Sequence, residues 1–396
     1  MTRVLLAILI VSSAHGGEPA VRHVRPNRAS GGSAAVVVGE GVALVHTRQI
    51  LPGKDDQDEP ASQIESVLNG LRLALRAGRT GLDQVVKLHV VVERADLIPM
   101  VREAFSKRIP DLDGPAWTVV VGKLPRPGAL VAVDAVATTK GAPAPGRVIR
   151  LAPRVFGNSS PVAPFAAVSA GRRVFISGQA EPDADLAAAT RKTLESLEAS
   201  LKHLGMGKEH IVQLKAFYQP HESAEVVERE TARFFGEAGA PPLVLVEWKS
   251  PASTPIEIEL VASAPEPAPE GAEAVEFLTP PGLSASPVYS RIARVNHGPL
   301  IFVSGLVGPE GASGAEQVEG IFADLKAILA EAGSDFRHMA KATYYVADDD
   351  SSAALNTLRP RHYDPARPPA ASKAAVPGIG LPGRSVEVDM IAVGGR

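Results

Sequence analysis

Two stretches of the 396-residue chain set carboxylates at alternate positions, Ile256-Glu257-Ile258-Glu259 and Val386-Glu387-Val388-Asp389. On a strand, the period of two sends Glu257 and Glu259 to one face, and Glu387 and Asp389 likewise. Paired carboxylates whose pKa values are pushed apart can divide acid and base duties, so Glu257 and Glu387 are candidates for such chemistry. The same alternation also makes the polar face of a half-buried strand, and both readings stand at this level. A third stretch in the same frame, residues 131–137 (VAVDAVA), has Ala132 where the other two have glutamate.

Other chemistry is mostly excluded. Ser177 and Ser304 end strand-like runs without a G-x-S-x-G around them, which argues against a serine nucleophile. The ten histidines show no H-E-x-x-H or other metal-ligand spacing, and His46, His203 and His210 read as surface or satisfied core residues. Residues 378–383 (GIGLPG) lack a phosphate-loop lysine and open no helix. With no cysteine, disulfides, thiolate metal sites and thiol nucleophiles are out, and no cofactor or metal is expected. Asp348-Asp349-Asp350 reads as a solvated turn, and Trp117 and Trp248 as core or inter-unit packing.

The carboxylate strands belong to a unit that the chain states three times. Each copy has an apolar run broken by turn residues and a proline: residues 44–52 (LVHTRQILP), 174–182 (VFISGQAEP) and 301–309 (IFVSGLVGP). A helical stripe follows each, through Leu71 and Leu75, Leu194 and Leu197, and Phe322 and Leu325. Apolar β-type runs come next at residues 85–92, 211–218 and 339–346. Aligning Leu71, Leu197 and Leu325 brings Val86, Val212 and Ala340 into register without a gap. Second helices are expected around 97–107, 223–235 and 352–363, each followed by a proline-flanked strand and the closing carboxylate strand. Pro/Gly/Ala-rich stretches at 140–153 and 263–282 read as linkers. The units are thus 28–139, 154–264 and 276–394. The expected class is α/β (α+β), three tandem mixed sheets each with two helices on one face. The bare faces must be covered, and three copies can cover one another as an intramolecular pseudo-trimer.

This order resembles the Rid family, the YjgF-like proteins once labelled L-PSP endoribonucleases, three times over. The resemblance rests on the strand-S-G-Q-x-x-P turn, the Ala/Gly break before the central strand and the closing strand typified by IEIELVA. It implies chorismate-mutase-like (YjgF-like) units with ligand clefts between them, and here a monomeric fused trimer. RidA-type members hydrolyse enamines and imines to 2-keto acids and ammonia. By resemblance, Glu257 and Glu387 would be the catalytic glutamates that act on water. Gly178 and Gly305, with the aromatics Phe165 and Tyr289, would shape the substrate clefts.

The family's carboxylate-gripping arginine after Pro-Ala is missing in every copy. Trp117 follows Pro115-Ala116, Leu243 follows Pro241-Pro242, and Ala371 follows Pro369-Ala370. Losing a charge-assisted hydrogen bond costs about 1.5–3 kcal/mol, roughly tenfold to more than a hundredfold in carboxylate affinity. Arg48, Arg367 and Arg384 lie near motif positions and are substitutes, or else solvated surface arginines. The first copy also lacks the turn glycine (Arg48), the glutamate (Ala132) and the aromatic (around Ser33 and Ala34), so it reads as structural. The resulting expectation is a degenerate, non-catalytic relative that binds a small molecule, an imino or keto acid by resemblance, in inter-repeat clefts. Enamine/imine deamination is the alternative.

A formal net charge of −3 and the absence of a basic cluster interleaved with aromatics leave no nucleic-acid footprint. Arg3, the apolar residues 4–11 and the small Ser12, Ser13 and Ala14 have the layout of a secretory signal over residues 1–16. The apolar run is far short of the roughly 20 residues a membrane span needs. A secreted or periplasmic protein, free of the membrane after cleavage, is expected.

Overall fold

The computed structural model describes residues 20–27, 30–53, 59–109, 113–151 and 160–395, so the signal-like residues 1–16 lie outside the described part. Repeat 1 contains β1 (Val21–Asn27), β2 (Gly32–Val38), β3 (Ala43–Thr47), α1 (Pro60–Ala77), β4 (Val85–Val92), α2 (Ile98–Arg108), β5 (Ala116–Val121) and β6 (Val131–Thr139). Repeat 2 runs β7 (Val148–Arg150), β8 (Phe165–Val168), β9 (Arg173–Gln179), α3 (Leu186–His203), β10 (Ile211–Tyr218), α4 (Ala224–Phe235), β11 (Leu243–Glu247) and β12 (Ile256–Ser263). Repeat 3 has β13 (Val275–Leu278), β14 (Ile292–Val295), β15 (Leu300–Val303), β16 (Leu306–Val307), α5 (Gly314–Ala332) and β17 (Met339–Val346). It continues through α6 (Asp349–Leu358), β18 (Ala370–Ala375), β19 (Gly378–Ile379) and β20 (Val386–Val393).

Local signals account for most of these elements. All eight residues of β4 are buried, and its two polar ones, Lys87 and His89, are paired with Asp389 and Asp134. Pro60 opens α1, while α5 starts on a Ser313–Glu316 capping box and stops at the left-handed Gly333. Asp348-Asp349-Asp350 is exposed, as expected of a solvated segment, but it opens a helix rather than making a free turn. Asp348 caps α6 by accepting from Ser351 N–H, and Asp350 Oδ2 accepts from Gly314 N–H at 2.9 Å, tying α6 to the start of α5.

Three sheets form, in the orders β19-β5-β4-β6-β3-β8-β7, β11-β10-β12-β9-β14-β13 and β1-β2-β15-β20-β17-β18. Each mixes repeats. The opening hairpin of repeat 2 adds to β3 of repeat 1 (Val45↔Ala167), and that of repeat 3 to β9 of repeat 2 (Ala293↔Phe175). The opening hairpin of repeat 1 closes the ring on β15 of repeat 3 (Val36↔Phe302). Every repeat therefore lends its first strands to the unit before it, crossing through the short hinges 39–42, 169–172 and 296–299. Gly171 and Gly298 take the left-handed turns of the last two, at φ +113° and +99°. The stretches 140–153 and 263–282, expected as linkers, in fact contain β7 and β13, the outer strands of exchanged hairpins.

Each sheet carries two helices on one face, over its own apolar layer. The other faces meet in a shared core that includes Val36, Leu44, Phe175, Phe302 and the aligned trio Val86, Val212 and Ala340. The chain is thus an intramolecular pseudo-trimer of α+β units. Among the described residues no helix is long and apolar enough to cross a membrane.

Candidate functional site

Where one repeat meets the next, its opening turn and closing strand face the next repeat's edge strand. At the seam of repeats 2 and 3, Ala371 N–H donates to Ser177 Oγ at 2.7 Å and Gly178 N–H to Ser372 Oγ at 3.1 Å. At the seam of repeats 3 and 1, Trp117 N–H donates to Ser304 Oγ at 2.8 Å and Gly305 N–H to Trp117 O at 2.6 Å. At the seam of repeats 1 and 2, Gln49 takes over, its N–H reaching Leu243 O and its Nε2 reaching Leu245 O. The two turn serines therefore hold edge strands and are no nucleophiles.

The turn glycine and the closing-strand glutamate are one steric unit. A β-carbon at Gly178 would land on the Glu257 carboxylate, and one at Gly305 on that of Glu387. In the first copy Ala132 removes the carboxylate, and the turn position holds Arg48. Gly178→Ala is expected to cost about 1–3 kcal/mol by overpacking, and adding Glu257→Ala should restore most of the loss. Urea unfolding of the two single variants and the double one checks this; simply additive losses would contradict it.

The two glutamates differ in access. Glu257 is only partly buried, and its carboxyl is pushed up to about 7, chiefly by burial with a contribution from Glu259, against Ser372, Lys341 and Lys373. Glu387 is sealed, with 2% of its surface exposed. Val119 N–H donates to its Oε1 at 3.0 Å, and β19, pairing with β5, lays Gly380 N–H at 3.4 Å from its Oε2. Burial pushes it up to about 7 as well, with those two backbone donors opposing. As a correction, the Glu387 carboxylate does not line an open cleft, although its neighbour Gly305 is half-buried like Gly178.

The partner carboxylates have another job. Glu259 pairs with Lys341 at 2.7 Å, and Asp389 with Lys87 at 2.8 Å, each reaching into the next repeat, while Asp134 meets His89 at 2.7 Å. They wall a cavity of about 60 Å³ on the pseudo-threefold axis, together with Lys215 and His46. Burial alone would raise Asp389, but Lys87, Lys215 and Lys341 hold it well below the usual carboxylate range. Of each carboxylate pair, the outer one faces a seam and the inner one makes an axial ion pair, a role not expected from the alternation. His46, expected to be exposed or satisfied, is buried with neither ring nitrogen partnered, and burial and then Arg173 push it down to about 4.

The remaining expected residues separate. Phe165 is withdrawn from the site: its ring is buried in the apolar layer under repeat 1's helices, because β8 joins that sheet. Tyr289 stays at the seam of repeats 2 and 3, stacked with Arg291 at 5.1 Å and next to Ser290, whose carbonyl accepts from Ser177 Oγ. Trp117 turns into its own core, edge-to-face with Phe105, and donates Nε1–H to Gly31 O. Arg367 pairs with Glu273 and Arg384 with Glu310, so neither is a free substitute for the missing arginine. Arg48 has no partner at Nε; burial lowers its pKa, with Glu228 of α4 opposing. Sequence reading missed Lys373, whose Nζ donates to Ser352 Oγ at 3.0 Å and Asn356 Oδ1 at 3.2 Å. Its signal was the strand period, two residues past Ala371. Among the described residues no group of three or more His, Asp or Glu could hold a metal.

A family model described as Endoribonuclease L-PSP matches residues 158–264 and 282–394. Protein DfrA of Myxococcus xanthus is 35% identical over 114 residues, covering 26% of this chain and 84% of that protein. The 2-iminobutanoate/2-iminopropanoate deaminase of Capra hircus is 32% identical over 115 residues, covering 27% and 80%. A YjgF-family crystal structure from Neisseria meningitidis is 28% identical, spanning 31% of this chain and 96% of that one with a TM-score of 0.24. Both matched segments lie in the repeats that keep the glycine–glutamate pair, and with more than half the chain matched, the protein belongs to the endoribonuclease L-PSP family, the YjgF-like or Rid proteins.

Proposed function

We propose that this is an exported protein that binds one small carboxylate-bearing molecule, a 2-keto or 2-imino acid, in the cleft between repeats 2 and 3. The other two seams are structural. The observation that carries this reading is the contrast among seams. Glu257 is partly open beside Gly178, whereas Glu387 is sealed and Ala132 has no carboxylate. The 2-iminobutanoate/2-iminopropanoate deaminase relative supports the ligand class. Export is supported by the charged, apolar and small residues near the N-terminus; a reporter fused behind residues 1–20 should leave the cytoplasm if it is right. Titration calorimetry with 2-ketobutyrate should give one site per chain, lost in Glu257→Ala and kept in Glu387→Ala. Three equal sites, or binding indifferent to Glu257, would sink the reading.

A second reading, hydrolysis of 2-imino acids, is favoured by the placement of the Glu257 carboxyl near neutrality, where it can exchange a proton with water. An imino acid made in situ by an amino-acid oxidase should then decay faster with the protein present. The rate should rise through about pH 7 as Glu257 ionises, and Glu257→Gln should abolish the acceleration. No acceleration at micromolar protein, with a RidA-type control active, leaves binding alone.

A further inference from the structure

Ser352, Asn356 and Arg359 follow one another at helical spacing along α6 and the turn that ends it, so they make one stripe. Lys373 of β18 faces that stripe, its Nζ donating to Ser352 and Asn356. Both oxygens are neutral, and no carboxylate lies within ion-pair distance of Lys373 among the described residues. Arg359 is more unusual. It is 8% exposed, its guanidinium lies 5.0 Å over the Tyr344 ring, and its Nε has no acceptor. No carboxylate of the described residues pairs with it either.

Two buried lysines of the axis are neutralised, Lys87 by Asp389 and Lys341 by Glu259, and the buried Arg173 donates to the Ser169, Gly171 and Arg172 carbonyls; Arg359 has neither kind of partner among the described residues. A buried cation left without an anion is costly, so Arg359, with the half-exposed Lys373 beside it, marks a place that an anion fills. The field between them is felt: burial and then Arg359 lower the pKa of Lys373, while Glu257 across the seam opposes.

The arrangement occurs at one seam. Aligning the buried Val101, Val227 and Leu355 puts Phe105 and Thr231 where repeat 3 has Arg359. Aligning the strands paired with β4, β10 and β17 puts Val119 and Leu245 where it has Lys373. Both cations therefore sit at the seam with the accessible Glu257 and at neither of the others. Resting on the single-cleft reading above, we propose that Arg359 and Lys373 hold the carboxylate of the bound acid, in place of the missing Pro-Ala-Arg arginine, with the acid's other end toward Glu257.

The test compares 2-ketobutyrate with its uncharged amide, by calorimetry or ligand-observed NMR, on the full chain. Arg359→Met and Lys373→Met should each weaken the acid by about tenfold to more than a hundredfold, leave the amide unchanged, and thereby erase the preference for the charged ligand. Arg359→Lys should recover part of it. Lys373 is partly exposed, so Lys373→Met serves if Arg359→Met does not fold. Acid affinity within about twofold of wild type in Lys373→Met or in a folded Arg359→Met, with binding still lost in Glu257→Ala, overturns the clamp and leaves the cleft standing. No binding of either probe to wild-type protein overturns the cleft reading and the clamp together.

Discussion

Removing residues 20–38 is expected to unfold the protein rather than trim it. β2 lies between β1 and β15 inside the third sheet, with Val36 opposite Phe302 and Val38 opposite Leu300. Val24, Val36, Val37 and Val38 are all buried. Burying a valine is worth about 1.5–3 kcal/mol, so the four together contribute roughly 6–12 kcal/mol. That is comparable to the whole net stability of an ordinary domain, about 5–15 kcal/mol. The deletion also strips Ser304 of its acceptor at Ser33 O and Trp117 of its acceptor at Gly31 O, loosening the seam of repeats 3 and 1. It leaves β15 as a bare edge open to self-association. Circular dichroism and sedimentation of the truncated chain should show lost cooperativity or aggregation, and a peptide of residues 20–38 added in trans should restore the fold. A truncated monomer melting like the full chain would refute the exchange of hairpins.

Lys341→Met should be the most damaging single substitution on the axis. It strips Glu259, 2% exposed and with one carboxylate oxygen already unpartnered, of its ion pair, leaving only Lys215 across the cavity to offset the buried charge. Breaking one side of such a pair typically costs about 3–5 kcal/mol, whereas replacing both sides with apolar groups is often neutral. The double change Lys341→Met with Glu259→Leu should therefore recover most of the loss, and a double-mutant cycle by urea unfolding measures the coupling. A cost under about 1 kcal/mol for Lys341→Met would mean that water reaches the axis freely and the pair is not truly buried.

Much of the scaffold was legible because it depends on short-range pattern. The runs at 85–92, 211–218 and 339–346 are strands with those bounds, since their apolar residues, many of them β-branched or aromatic, are broken only at alternate positions, by Lys87 and His89, Gln213 and Lys215, and Lys341 and Thr343. The exchanged hairpins were hidden for a physical reason. A hairpin folded on its own repeat and one laid on a neighbour satisfy the same backbone groups with the same side-chain alternation. β7 and β13 were also too short, and too embedded in Pro/Gly/Ala-rich sequence, to show a period.

The site divides along the same line. Gly178 and Glu257 could be found because their motif is local to a turn and a strand. The sealing of Glu387 could not, because it depends on residues 378–380 pairing with β5 of another repeat. Phe165 was misplaced because which face a strand residue takes is decided by the sheet it joins. Arg359 and Lys373 carry no motif; only their lack of a carboxylate partner among the described residues singles them out.

Fusion into one polypeptide changes what mutation can reach. In a ring of three separate identical chains, every substitution is made three times at once, so trading a turn glycine for arginine would strip all seams together. Here Arg48 and Ala132 distinguish one seam, the strand at Gly378–Ile379 covers a second, and Glu257 is partly exposed at the third. Because each repeat's first strands serve its neighbour, a change in one opening hairpin acts on the seam upstream of it. Heredity in this chain therefore addresses each seam separately, which no symmetric ring allows.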